Sequence, residues 1–224
     1  MFIIDSYLLA VVFCFITMLC WGSWGNTQKL AGKTWRYELF YWDYVIGMVL
    51  FTLLLGFTMG STGEEGRSFV ADLAQANWSS IGWVILGGVI FNASNILLSA
   101  STSLAGMSVA FPLGCGLALV LGVVNTFVIA QAEANNPLLL ALGVLLIVAA
   151  IVCNGMAAGR VAKGGEQNTS RKKGVVLAVV AGILMSTFFG FVLKGMAGDF
   201  VAPEAGKLTP YSAIFIFSLG VLLS

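Results

Sequence analysis

The feature that most limits what this chain can become is a recurrence. Windows of about 20 apolar residues, each long enough to cross a hydrocarbon core of about 30 Å as a helix, repeat with short polar breaks between them. They run from Tyr7 to about Asn26, Leu39 to Thr58, Ile81 to Ser101, Leu104 to Ala130, Pro137 to Ala158 and Gly174 to Met196, and a seventh begins at Thr209 and meets Ser224. An all-α integral membrane fold is the expectation. Composition agrees, with 59% of residues apolar and 9% charged, where a soluble domain carries roughly a quarter charged.

Composition also removes several function classes. The chain has no histidine, which excludes His-based acid–base catalysis, Ser–His or Cys–His nucleophile pairs and His-ligated metals. A formal net charge of +1 argues against a nucleic-acid partner, because phosphate binding needs a clustered basic surface. Cys14, Cys20, Cys115 and Cys153 all fall inside apolar runs without C-x-x-C spacing, so packing is their expected role, with no metal. Paired carboxylates and nucleophile–base pairs are missing too, so the chain reads as no enzyme, with no catalytic residue and no cofactor.

Orientation follows from where Lys and Arg sit. Lys29, Lys33 and Arg36 follow the first run, and Arg160, Lys163, Arg171, Lys172 and Lys173 follow the fifth; Arg67, Lys194 and Lys207 lie in the alternate connections. With the N-terminus outside, eight of the eleven basic residues face the cytoplasm. A multi-pass protein of the plasma or inner membrane with its N-terminus outside is therefore expected.

An internal repeat gives the architecture. Leu9-Ala10-Val11-Val12 recurs as Leu177-Ala178-Val179-Val180 and Gly22 recurs as Gly190, both at an offset of 168 residues, and the same offset lays the second run on the seventh. Five runs per repeat is an odd number, so the second copy enters from the opposite side, the inverted topology of many secondary transporters. The expected domains are a first five-helix repeat over 1–159, a basic cytoplasmic loop over 160–173 and the start of a second repeat over 174–224. Two copies would need about 336 residues, twice the offset, which predicts that the chain is a fragment with its second repeat truncated.

Four patterns could carry function. Thr17, Trp21, Trp24 and Gln28 share one helical face; they could form a wall on which a flat ring or a sugar face stacks while amides bond its edge, or an interfacial aromatic belt. Asn92, Asn95, Ser99 and Thr102 share a face of the third run, which should turn inward, either toward a wet cavity or as hydrogen-bonding glue between helices. Asp43 is the sole carboxylate inside a predicted span and could couple protons, accept a hydrogen bond from a solute, or simply sit at the interface beside Lys29, Lys33 or Arg36. Gly106, Ala110, Gly114, Ala118 and Gly122 form a small-residue track at spacing four suited to close helix packing inside the chain or between two copies of a homodimer. The basic loop lacks G-x-x-x-x-G-K-[ST], so it does not cradle a phosphate.

Several phrases resemble the ureide permease family within the drug/metabolite transporter superfamily. They are Gly22-Ser23-Trp24, Tyr41-Trp42-Asp43-Tyr44, Gly87-Gly88 followed by Asn95, Gly106-Met107-Ser108-Val109, and Leu208-Thr209-Pro210-Tyr211. The resemblance implies a ten-helix inverted-repeat carrier whose plant members move allantoin, uracil and related nitrogen heterocycles with protons, and it puts Trp24, Asp43 and Asn95 forward as site positions. This chain departs from those members in lacking their phosphate-loop-like central motif.

The resulting expectation is a secondary transporter, in the manner of a symporter, for a small polar solute crossing the lipid bilayer. Its substrate-binding candidates are Trp21, Trp24, Gln28, Asp43, Asn92, Asn95 and Ser99, with Asp43 as the coupling group. A sugar carrier of the glucose, ribose or rhamnose type is the alternative within transport. A membrane assembly or accessory protein that transports nothing is the alternative from another class, resting on the small-residue track.

Overall fold

The computed structural model describes residues 1–4, 6–32, 34–129, 136–161 and 169–224. Among these it contains eight helices: α1 Tyr7–Ala31, α2 Tyr37–Phe57, α3 Phe69–Gln75, α4 Trp78–Ala105, α5 Met107–Ile129, α6 Pro137–Val161, α7 Thr169–Gly195 and α8 Pro210–Leu222. Extended pairing among them is limited to one isolated bridge between Met196 and Leu208. Six helices, α1, α2, α4, α5, α6 and α7, are long and apolar enough to cross a membrane.

Several boundaries differ from the hydropathy reading. The first helix continues past Asn26 to Ala31, because Thr27-Gln28-Lys29-Leu30-Ala31 keeps the hydrogen-bond ladder going after the apolar stretch has ended. Lys29 sits in its last turn, where a cation complements the helix dipole, and Gly32 closes it by donating to the Gln28 carbonyl at 3.0 Å. The third and fourth runs do not divide at Leu104. Gly106 has φ +83°, a left-handed conformation that a glycine takes at little cost, and it ends α4 at Ala105 and starts α5 at Met107. Gly106 is therefore a turn residue outside the packing track. The connection after α2 is not bare loop, since it contains α3. Arg160 lies in α6 and Arg171, Lys172 and Lys173 lie in the opening turns of α7, so helix replaces much of the expected basic loop; residues 162–168, including Lys163, lie outside the described residues, as do Lys33 and Ala130.

The chain divides into two compact units, Met1–Ile85 with Gly195–Leu223, and Leu86–Lys194 with Ser224. In the first, α2 packs along α8. Lipid supplies no hydrophobic drive between helices, so such contacts depend on small residues and buried hydroxyls. Thr52 and Ser218 share a hydrogen bond at 3.0 Å between the two helices. Phe69 of α3 is the apolar keystone: it is buried, meets Phe57 and Phe215 edge-on at 5.3 and 5.6 Å between ring centroids, and presses on Gly56 so closely that a Cβ there would come within 2.7 Å of its ring. At this same end Phe2 N–H donates to the Met59 carbonyl, and the Tyr211 hydroxyl donates to the Phe2 carbonyl.

The second unit is held by α4, α5 and α7. Ser94 donates to the Ala181 carbonyl and Ser101 to the Gly174 carbonyl, both at 2.7 Å. A Cβ on Gly182 would lie 2.7 Å from the Gly114 carbonyl oxygen, and one on Gly174 would lie 2.7 Å from the Ala105 Cβ. Ala110, Gly114 and Ala118 of the small-residue track are buried, with Ala110 in the core beside Leu98 and Ala181. Gly114 meets Leu98 and Ala178, whereas Gly122 has open space where a Cβ would stand. α5 also packs along α6, where Gly116 faces Ile151. The other side of α6 turns Leu138, Leu139, Leu142, Leu145 and Leu146 outward, as suits a helix in contact with lipid.

Candidate functional site

Three groups of polar or aromatic side chains stand out, two in the first unit and one in the second. On α1, Trp24 and Gln28 are separated by four residues and both are half-buried, while Thr17 and Trp21 further up the same stripe are exposed. The stripe therefore splits, and its lower half is the part that meets α2. The Trp24 ring lies 5.8 Å from the Tyr44 ring with planes tilted by 57°, and Tyr44 lies 5.8 Å from Tyr41, one helical turn earlier on α2. Offset, tilted rings at this separation are the favourable aromatic geometry. Tyr44 is the residue that spacing on α1 alone did not reveal; its signal was position four residues before Met48 and three after Tyr41, on the face that buries Val45 at its edge. Asp43, next to Tyr44 in sequence, is exposed.

In the second unit the polar stripe of α4 points inward. Asn92 and Asn95 are each 4% exposed and Ser99 is 6% exposed, while Thr102, half-buried, turns its hydroxyl back to the Ser99 carbonyl at 2.7 Å. Asn92 donates to the Ser224 hydroxyl at 3.0 Å. Asn95 differs: among the described residues no hydrogen bond engages its amide. Buried amides ordinarily find partners, and an amide carries two donors and an acceptor. An amide without a protein partner is available to donate to and accept from a ligand. Ser94 and Ser101, on a neighbouring face of the same helix, are committed to α7 and serve packing.

The third group lies outside the spans and was missed in the sequence. Asp72 of α3 is fully buried, and four donors converge on its carboxylate. Arg67 Nε and Gln75 Nε2 donate to Oδ1 at 2.9 and 3.3 Å, and the Thr209 N–H and hydroxyl donate to Oδ2 at 2.7 and 2.9 Å. Arg67 also reaches the Glu204 and Lys207 carbonyls, and Gln75 bonds the Lys207 carbonyl and receives the Gly206 N–H. Thr209 is the N-cap of α8, so the carboxylate sits at the positive end of that helix, where a negative charge is favoured. Gly206 has φ +80°, and a Cβ there would collide with the Asn77 side chain. Arg67 and Gln75 are close in sequence, but nothing local announces that Asp72 is buried, because both Oδ2 donors come from Thr209, 137 residues later.

The family model for ureide permeases matches residues 40–172. The chain belongs to the ureide permease family. Among relatives of this family member, Ureide permease 2 of Arabidopsis thaliana is 28% identical over 165 residues, covering 71% of this chain and 41% of its own length. Ureide permease 1 of the same plant is 23% identical over 226 residues, covering all of this chain and 57% of its own. Probable ureide permease A3 of Vigna unguiculata is 27% identical over 117 residues, half of this chain and 31% of its own. The chain spans about half the length of the curated relatives it matches. No solved structure matches it. The matched segment contains Asp43, Asp72, Asn92, Asn95 and Ser99, while Trp21, Trp24 and Gln28 precede it. Family membership together with six sufficiently long apolar helices makes this an integral multi-pass membrane protein.

Proposed function

We propose that this ureide permease family member is a secondary transporter, not an enzyme, and that it moves a small, polar, nitrogen-rich solute of the ureide or nucleobase type. The observation that carries the reading is the family match over residues 40–172, whose relatives bear the name ureide permease. Two chemistries support it. The Asn95 amide, buried and uncommitted in the second unit, matches a ligand made of alternating N–H and C=O groups. The Trp24 and Tyr44 rings of the first unit offer a stacking surface for a flat heterocycle. Gln28, Trp21, Asn92 and Ser99 are the secondary contacts of this proposal.

Proton coupling falls to Asp43, exposed near the start of α2 and next in sequence to Tyr44. The superfamily placement, the inverted repeat and an N-terminus outside the plasma or inner membrane belong to the same proposal. They are supported by the offset of 168, under which α1 and α2 fall near α7 and α8, and by the basic residues in the terminal turns of α1, α6 and α7. The test is uptake into vesicles of labelled allantoin and uracil, with glucose and ribose as comparators, with and without an inward proton gradient. Accumulation of the nitrogen heterocycles under the gradient is expected. Accumulation of a sugar instead, or of none of the four, would reject the reading.

A further inference from the structure

The first unit holds a polar centre that the transport reading does not use. α8 enters through the connection 196–209, and that connection is fastened to α3 and to Arg67 just before it by groups water could replace: the Glu204 and Lys207 carbonyls on Arg67, the Lys207 carbonyl and Gly206 N–H on Gln75, and Thr209 on Asp72. Within the first turn of α8, one step below, Ser212 is fully buried and its hydroxyl has no hydrogen-bond partner among the described residues. A buried hydroxyl without a partner favours whatever conformation lets water reach it. The Asp72 cluster opposes that conformation. Fastening and cost therefore sit within four residues of each other on the same helix end, which is the composition of a two-state element.

We propose that Asp72 is the bolt of a latch: held by Arg67 and Gln75, its carboxylate clamps Thr209 and keeps the first turn of α8 seated, and breaking that clamp lets the turn leave α2 and exposes Ser212. Arg67 is itself only partly exposed at 22%, and Asp72 has no access to solvent at all. A buried carboxylate that loses its partners is strongly disfavoured, so the latch opens as a unit, with Arg67 and Thr209 released together. The weaker contacts below it, the Thr52–Ser218 hydrogen bond and the approach of Gly60 to Tyr211, are of the kind that slide or part without leaving a charge buried.

The test is the labelling rate of a cysteine at position 212, which requires no solute and so stands or falls separately from the transport reading. In the full chain, purified in detergent with Cys14, Cys20, Cys115 and Cys153 replaced by serine, Ser212→Cys costs no hydrogen bond and should react slowly with a maleimide. Asp72→Asn should raise that rate about a hundredfold, because labelling through a local opening tracks the population of the open form. Thr209→Val, which keeps the N–H bond to Asp72 and loses only the hydroxyl, should raise it about tenfold. An unchanged rate in either variant overturns the latch. So does equal acceleration at a Ser94→Cys reporter in the second unit, which would make Asp72 a general support of the fold.

Discussion

Replacing Asn95 by leucine should separate stability from transport. The two side chains have the same branched four-atom skeleton, so the substitution removes polarity while roughly keeping shape. Asn95 is 4% exposed and its amide bonds to none of the described residues. Its amide atoms are not among the fully sealed polar atoms of the described residues, so they keep access to solvent and carry little desolvation penalty. Asn95→Leu therefore has little to recover and adds some crowding from the larger methyl groups, for a net cost of about 1.5 kcal/mol or less. Ser94→Ala, one residue away, loses a hydrogen bond to α7 at 2.7 Å and should cost about 1 kcal/mol. If a solute uses the Asn95 amide, the leucine variant should lose about tenfold to a hundredfold in uptake efficiency, the penalty for a site that no longer matches a polar ligand. Thermal unfolding in detergent and initial uptake rates, measured on both variants, decide it. A melting temperature for Asn95→Leu that falls well below that of Ser94→Ala, or uptake equal to wild type, refutes the argument.

Gly56 and Phe69 should be coupled. Gly56→Ala places a methyl 2.7 Å from the Phe69 ring and should cost about 1–3 kcal/mol, while Phe69→Ala should cost about 3–5 kcal/mol; unfolding of the double variant should cost less than the sum, and additivity would show that the ring does not press on that helix. In α7, Gly182→Ala meets the Gly114 carbonyl at 2.7 Å whereas Gly190→Ala meets nothing within 4 Å. The first should lower the melting temperature and the second should leave it unchanged or raise it through helix propensity. Asp43→Asn, at an exposed position, should leave stability unaltered and abolish accumulation driven by a proton gradient while sparing downhill exchange; retained accumulation would remove Asp43 from coupling.

The spans were legible because their signal is length and apolarity, which a membrane fixes from outside. Their ends were not. At Asn26 hydropathy stops but hydrogen bonding continues to Ala31, and at Gly106 a small residue on a period of four looks the same whether it packs inside a helix or turns left-handed between two. The α4 stripe was legible in its spacing, since Asn92, Asn95 and Ser99 recur every three or four residues and all three are buried. The sequence could not tell which amide is engaged, because the Asn92 partner is Ser224, 132 residues away. The pairing of Trp24 with Tyr44 needed a second helix, and periodicity on α1 says nothing about α2. Asp72 was passed over for the same reason in stronger form: it lies in a seven-residue helix outside every apolar run, where a carboxylate looks like ordinary surface charge.

That long separation also has a meaning in time. Asp72 leaves the ribosome 137 residues ahead of the threonine that completes its coordination, which at about 5–20 residues per second is roughly 7 to 27 s of synthesis. During that interval the carboxylate has Arg67 and Gln75 close in sequence but neither Oδ2 donor, while four further spans are made. The arrival of Thr209 then supplies both Oδ2 donors. Seating of α8 is thus the step that completes the Asp72 cluster.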